Sequence, residues 1–524
     1  MATSQVPETQ SFVPGAASEA VAAIDAAASK QRDVNKLAAG AGMALGGRLL
    51  GRGLLLGVDV ALARLLGPVQ YGLYVIGWTV TRLVSLLAPL GLNSGVIRFG
   101  ARYWRRDDER FKGVLWFCLL VSGFIALVLG GVFFALAPWL AGQVFHKPDL
   151  ATPFRWFACG FPMAAIVTVS AAATRITHRV KYGVLTEDLS QPAVALLFIF
   201  VLVAGMKQGL SGALVAYLVS FTVAMLTGVY FVVRLFPVTV SRQVVANFPG
   251  RDLIAFSVPA SFTNVLGVMI LWVNRLFVGY FRPAGDVGIY QAASQVPVTV
   301  ALVVGAVAAI FSPMTADFAH RGQMAQVHEI YKIGTKWTLY ASIPPLLIMC
   351  LVPREVITVL FGVSYADGGR ALQILALGQL FNAASGCVGT LLVMTGHQKI
   401  TSALYAIMFV MNGVLSMLFI PHWGVSGAAW ATTLTAAGLF IPALVIAWSR
   451  LRMMPYDRRY WKLLLATLLA GAAMLIPVPG LHPLGRLLLS GALATAIFWA
   501  TIFISGLDEE DRHFVTLLRA RVKF

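Results

Sequence analysis

Apolar runs of about twenty residues recur from residue 40 to residue 505, separated by short connections rich in glycine, proline and charge. At ~1.5 Å of rise per residue, a run of that length crosses ~30 Å of hydrocarbon as a helix. The pattern predicts spans near 40–64, 71–96, 113–141, 156–174, 183–204, 210–233, 253–279, 286–314, 334–352, 371–395, 400–420, 424–449, 463–477 and 484–505. The expected fold class is an all-α polytopic membrane protein of about 14 transmembrane helices.

The first two spans are joined by the turn Gly67-Pro68-Val69-Gln70 and break the apolar rule. Arg48, Arg52 and Asp59 lie in the first span, within roughly 40° of one another at ~100° per residue. Arg82 lies in the second, on a face expected to include Trp78, Ser85, Pro89 and Asn93. An arginine at membrane depth costs at least ~2.5–3.5 kcal/mol on insertion scales. Three of them on neighbouring helices argue for a water-filled cationic cavity rather than a lipid-facing wall.

Composition agrees with the pattern: 58% of residues are hydrophobic and 12% charged, against about 25% charged in soluble domains. The net charge of +18 is topological. With fourteen spans and a cytoplasmic amino terminus, the inner connections, tails and span ends hold 28 of the 40 Lys and Arg, the outer ones 8. Such asymmetry is the positive-inside rule, so the basicity gives no support to a nucleic-acid partner. Both termini are expected in the cytoplasm of a bacterial inner membrane protein. The four cysteines (Cys118, Cys159, Cys350, Cys387) all fall in spans, at spacings unlike a metal site. Residues 1–38 lack the basic and apolar regions of a signal peptide and read as a disordered tail.

The pattern repeats. Arg64–Tyr74 is matched by Phe281–Tyr290, pairing Gly72 with Gly288 and Tyr74 with Tyr290. Gly209-Leu-Ser-Gly-Ala213 is matched by Gly424-Val-Ser-Gly-Ala428, and Phe145 by Phe361. The offsets are all 215–216 residues. Six spans separate equivalent points, so the copies keep one orientation and are expected to be related by an axis along the membrane normal. The expected organisation is a tail (1–38), an N-lobe (39–248), a C-lobe (249–452), an accessory helix pair (453–506) and a second tail (507–524).

Polar residues in the second copy mark the counterpart of the cavity: Asn264, Trp272 and Arg275 in span seven, Tyr290, Gln291 and Ser294 in span eight. Glu187 and Asp188 open span five, where pairing with nearby bases is the expected role. No phosphate loop, nucleophile elbow or metal-spaced set is found, so no catalytic residue, cofactor or metal is assigned. Arg48, Arg52, Arg82 and Arg275 favour a large anionic ligand, since guanidinium forks bind phosphate oxygens bidentately. Asp59 fits either a counter-charge for the empty site or a cation-coupling carboxylate.

At Ala63-Arg-Leu-Leu-Gly-Pro-Val-Gln-Tyr-Gly-Leu-Tyr74, followed by Pro89-Leu-Gly-Leu92, the chain resembles the Wzx-type polysaccharide flippases of the multidrug/oligosaccharidyl-lipid/polysaccharide (MOP) exporter superfamily. Asn274-Arg-Leu-Phe-Val-Gly-Tyr-Phe281 and Gly288-Ile-Tyr290 look like the same family's second repeat, so the resemblance covers roughly 40–450. It implies two six-helix lobes, alternating access, and a polyprenyl-diphosphate-linked oligosaccharide as cargo. Polysaccharide polymerase or assembly proteins are implied as partners alongside the bilayer. The four arginines map onto the family's cavity arginines, with Trp78, Asn93, Asn264, Trp272 and Tyr290 as candidate sugar or cavity contacts. Asn274 departs from the pattern, because family members often carry an acid there. A cation-coupled drug exporter of the same superfamily, and a membrane enzyme or scaffold of polysaccharide assembly, are the alternative readings.

Overall fold

The computed structural model describes residues 14–177, 180–248, 250–458, 460–476, 482–506, 508, 511 and 512; the side chains of 14–45, 180, 259–268, 270 and 271 lie outside that description. Among the described residues the chain is helical, with no strand. The N-terminal half comprises α1 (Pro14–Leu87), α2 (Leu92–Tyr103), α3 (Asp108–Trp139), α4 (Ala151–Cys159), α5 (Phe161–Thr174), α6 (Val180–Gly183), α7 (Gln191–Phe198) and α8 (Gly209–Leu235). The C-terminal half comprises α9 (Gly250–Phe281), α10 (Ala284–Gln295), α11 (Val298–His320), α12 (Met324–Leu351), α13 (Pro353–Phe361), α14 (Gly368–Ser385), α15 (Val388–Met394) and α16 (Gln398–Leu451). The accessory pair α17 (Tyr460–Met474) and α18 (Pro483–Ile504) follows.

Seven of the described helical segments are long and apolar enough to cross a bilayer, or nine if each of two bent helix pairs is one span. The count of fourteen therefore stays an expectation. Two of the expected spans, 400–420 and 424–449, form the single broken helix α16, which counts once. The N-terminal half packs as α3 and α8 on α5, the C-terminal half as α12 and α16 on α14. The halves meet where the two arms of α1 lie against α10 and α9.

Backbone breaks set this geometry. α1 folds into two arms at Gly67 (φ 73°), followed by Pro68, and α16 does the same at Gly424 (φ 54°). A left-handed residue suits glycine, and proline cannot continue the hydrogen-bond ladder. Gly209 (φ 57°) is the repeat counterpart of Gly424 and likewise has a positive φ. Phe145 and Phe361 are both buried.

Gly72 and Gly288 also face each other across the two halves. A Cβ on Gly72 would overlap the Ala284 carbonyl and come within 3.1 Å of the Gly288 nitrogen. A Cβ on Gly288 would overlap the Pro68 carbonyl and come within 3.3 Å of the Gly72 nitrogen. We call the end of the molecule formed by these helix turns the hairpin rim.

Two expectations need correction. The expected disordered tail is helical from Pro14 onward, while residues 1–13 lie outside the described residues; the Ala-rich stretch 16–28 has high helix propensity. The second span does not run as one helix to residue 96. Leu90 (φ 46°) and Gly91 (φ 75°) end α1 and start α2, so the phase that placed Pro89 and Asn93 on the Arg82 face is lost. Most of the second tail, from residue 513 onward, lies outside the described residues.

Candidate functional site

The tryptophans and two of the arginines form one column across the interface. Trp78 on the second arm of α1 meets Trp272 on α9 with ring centroids 4.7 Å apart. The Arg82 guanidinium lies 5.2 Å from the Trp78 ring centroid, and the Arg275 guanidinium 4.4 Å from that of Trp272. Each pair sits at helical spacing, i,i+4 and i,i+3, which puts cation and ring on one face. Cation–π contacts of this kind are worth ~0.5–2 kcal/mol each, more when desolvated. In the order Arg82, Trp78, Trp272, Arg275, each cation stacks on its own half's indole and the indole–indole contact joins the halves.

Arg275 is only 7% exposed. Its Nε donates to Gln291 Oε1 and its Nη2 to Ser294 Oγ at 3.2 Å. Gln291 faces both ways, because its Nε2 donates to Asp59 Oδ1 at 3.4 Å. Asp59 also accepts from Tyr71 Oη at 2.6 Å and from Gln295 Nε2 at 2.5 Å. A half-buried carboxylate of the N-terminal half is thus held by two amides of the other half, within electrostatic range of Arg275.

Arg48 and Arg52 lie elsewhere. Both are exposed, and the stripe they share with Asp59 stretches along the helix, roughly 10 Å separating Asp59 from Arg52 at ~1.5 Å per residue. Their electrostatic neighbour is Asp188, with Arg175 also in range. Gly51 makes this approach possible, since any Cβ there would overlap the Asp188 carbonyl. Glu187 pairs with Arg175 at 2.6 Å, which is the pairing role expected of that acid. Arg82 lies within range of Glu187, Asp188 and Arg52, so it links the column to this second cluster.

Tyr290 belongs to a neutral network. Thr432 gives its hydroxyl proton to the Ala428 carbonyl at 2.8 Å, so it accepts from Tyr290 Oη at 3.0 Å and from Asn274 Nδ2 at 2.7 Å. Ser416 Oγ donates to Asn274 Oδ1 at 2.9 Å. With both ends of its amide bonded, Asn274 serves as a neutral brace where family members often carry an acid. Asn93 is half-buried on α2, beyond the backbone break. The side chain of Asn264 lies outside the described residues.

Cations of the N-terminal half close the hairpin rim by capping helix ends of the other half. Arg64 donates to the Leu360 carbonyl at 2.8 Å and to that of Val359, in the last turn of α13. Lys147 donates to the Gly279 carbonyl at 2.6 Å, in the last turn of α9. Those carbonyls are the negative ends of helix dipoles and lack partners inside their helices. Tyr365 Oη adds a bond to the Ala63 carbonyl at 2.9 Å. A cavity of about 360 Å³ lies far along the C-terminal half, between His320, Met324 and Thr395, and no arginine of the column lines it.

Sequence reasoning placed Arg82, Trp78, Trp272, Arg275 and Asp59 as candidates, and the fold brings these five together. It missed Tyr71, Gln295, Thr432 and Arg64. The i,i+4 spacing of Gln291 and Gln295 on a helix rich in small residues was the available signal.

A family model described as polysaccharide biosynthesis protein matches residues 61–368, more than half of the chain. The probable low-salt glycan biosynthesis flippase Agl15 of Haloferax volcanii is 22% identical over 187 residues, 36% of this chain and 40% of the relative. The capsular polysaccharide biosynthesis protein CapF of Staphylococcus aureus is 19% identical over 185 residues, 35% of this chain and 47% of the relative. The chain thus matches less than half the length of both. The uncharacterized membrane protein MJ1068 of Methanocaldococcus jannaschii is 21% identical over 468 residues, 86% of this chain and 90% of the relative. Among solved structures, the lipid II flippase MurJ in an inward closed conformation superposes with a TM-score of 0.70 at 14% identity, over 88% of this chain and 98% of that one. An inward-facing multidrug resistance MATE family transporter of the MOP superfamily gives 0.64 at 15% identity, over 76% and 95%. With its apolar helices, its internal repeat and the family match spanning both halves, the chain belongs to the polysaccharide biosynthesis protein family and is a multi-pass membrane protein with the fold of the MOP-superfamily transporters.

Proposed function

We propose that this protein is a flippase that moves polyprenyl-diphosphate-linked oligosaccharide from the cytoplasmic to the periplasmic leaflet of a bacterial inner membrane. The observation that carries the reading is the column Arg82–Trp78–Trp272–Arg275, which sets one guanidinium of each half on either side of an aromatic floor. A diphosphate offers oxygens to both cations, and the first sugars offer flat faces to the indoles. Arg48 and Arg52 extend the cationic track toward the end opposite the hairpin rim, which the charge asymmetry assigns to the cytoplasm. The closed hairpin rim supports loading from that end. The names of a relative, a probable glycan biosynthesis flippase, and of the structural neighbour, a lipid II flippase, support the same class.

Hydrogen bonds to charged groups are worth ~1.5–3 kcal/mol, so Arg82→Ala or Arg275→Ala is expected to lower translocation at least tenfold. The test replaces the chromosomal gene by each variant. It measures surface polysaccharide, membrane protein level, and lipid-linked oligosaccharides by mass spectrometry. Complete lipid-linked units accumulating at normal protein level support the flippase. Incomplete units point to a synthetic or scaffolding role, and unchanged glycans with altered drug tolerance point to an exporter. Either of the last two results overturns the reading.

A further inference from the structure

The diphosphate clamp does not stand empty when the rim is closed. Arg275 is occupied by Gln291 and Ser294, and through Gln291 it reaches a carboxylate of the opposite half. That carboxylate, Asp59, takes one bond from its own half (Tyr71) and two from the other (Gln291 and Gln295). No cationic side chain forms an ion pair with Asp59 among the described residues; its charge is balanced at longer range by Arg275. Burying a charge is tolerated only with such a partner and a full set of donors.

We infer that Asp59 is a built-in substitute for the cargo's anion: through Gln291 it holds the clamp's Arg275 while the rim is shut, and it lets go when a diphosphate arrives. The inference rests on the clamp proposed above and adds its regulation. Three features carry it. The donors that hold Asp59 come from both halves, so its full set of bonds exists only while the halves touch. Gln291 turns its carbonyl to Arg275 and its amide nitrogen to Asp59, so an anion that pulls Arg275 away, or claims Gln291, loosens Asp59 in the same step. The Gly72–Gly288 backbone contact lies in the same pair of helices and holds the halves at the separation these bonds require.

The consequence is linkage. If an anion on Arg275 and the Asp59 bonds exclude each other, anion binding favours the parted rim, and a parted rim favours anion binding, by one and the same factor. Cargo is then needed to open the side on which it leaves, and empty carriers stay shut there.

The test uses the full chain in detergent with its four cysteines replaced by alanine, and spin labels at Gln70→Cys and Val363→Cys. Both positions are exposed at the hairpin rim, one in each half, and Val363 is 77% exposed. The label-to-label distance distribution is recorded with and without inorganic pyrophosphate, and pyrophosphate affinity is measured by calorimetry. In the parent, pyrophosphate is expected to lengthen the distance. In Asp59→Asn, which keeps the shape of the side chain, the lengthened population is expected without any anion, with pyrophosphate bound about tenfold more tightly. Asp59→Glu, which keeps the charge, is expected to stay close to the parent and shows that the site still folds. Arg275→Gln separates the two claims. Unchanged pyrophosphate affinity in Arg275→Gln overturns the clamp itself. Lost affinity there, together with unchanged or weaker affinity and an unmoved rim in Asp59→Asn, overturns the inference about Asp59 alone.

Discussion

At the scale of single residues, the central polar groups of this interface hold one another in a bonded network. Asn274 shows it best, because both ends of its amide are bonded and one acceptor, Thr432, has already given its only proton to the Ala428 carbonyl. Asn274→Asp replaces the donating nitrogen with an oxygen that faces an oxygen. The buried acceptor pair left behind costs ~1–3 kcal/mol, so a lower melting temperature is expected in detergent, read by intrinsic fluorescence. An unchanged melting temperature would show that the amide bears no structural load. The sequence exposed Asn274, Arg275 and Trp272 as polar or amphipathic residues in an apolar helix, where the cost of burial makes every exception informative. It did not expose Thr432 or Tyr71. Threonine and tyrosine are ordinary in membrane helices, and only the geometry shows what they hold. Arg48, Arg52 and Asp59 shared a stripe by angle, yet angle carries no depth, and depth is what sends Asp59 to Arg275 and the two arginines to Asp188.

At the scale of helices, the repeat gave equivalence before the fold gave contact. Matching Gly72 to Gly288 says only that an axis relates them; that they touch means the axis runs between them. Each supplies the absent side chain that lets the other's backbone approach. An alanine at either position has no flexible neighbour to push aside, since the atoms it meets are backbone. Gly72→Ala and Gly288→Ala are therefore expected to hold the hairpin rim apart. Disulfide formation between Val69→Cys and Gly285→Cys reads this directly, because a Cβ at residue 285 lies 3.6 Å from the Val69 side chain. Efficient cross-linking in the parent and a severalfold loss in either alanine variant is the expected pattern, and equal yields would show that the contact does not set the closed state. The break at Leu90–Gly91 was not legible in the same way. Hydropathy runs on through it, and a left-handed leucine has no sequence signature.

At the scale of the whole molecule, the accessory pair is bound to one half rather than shared between two. α17 and α18 pack on α12, and α18 on α13. At the hairpin end Arg486 of α18 pairs with Glu355 of α13 at 2.9 Å. At the other end the chain after α18 folds back: Lys336 of α12 binds Asp508 and Asp511, each at 3.1 Å, while Lys462 of α17 binds Asp508 at 3.0 Å. Trp337 Nε1 adds a bond to Asp511 at 2.9 Å. Sequence set these helices outside the six-plus-six core, but partners 172 and 175 residues apart leave no local pattern to read. Burial pushes the Asp508 carboxyl up, but hydrogen bonds and charge from Lys462 and Lys336 outweigh it and hold the group below its ordinary value of 3.8. A carboxyl depressed in the folded state stabilises above its unfolded pKa of about 4 and loses that contribution as pH falls through the depressed value. The clamp is therefore expected to hold unchanged from pH 8 to pH 5 and to release only below about pH 4. Lys336→Met breaks it at neutral pH instead, and it leaves the nearly buried Asp511 without its cation, a situation far more costly than an absent pair. Hydrogen exchange through residues 500–512 is the measurement: protection at pH 7 in the parent, lost in Lys336→Met, and regained in part when Asp508 and Asp511 are also changed to asparagine. Protection that survives Lys336→Met would show that packing alone holds α17 and α18. Loss would mean that a charge lock fastens them to the C-terminal half, so that the two extra helices travel with Arg275 and Trp272 whenever the halves part.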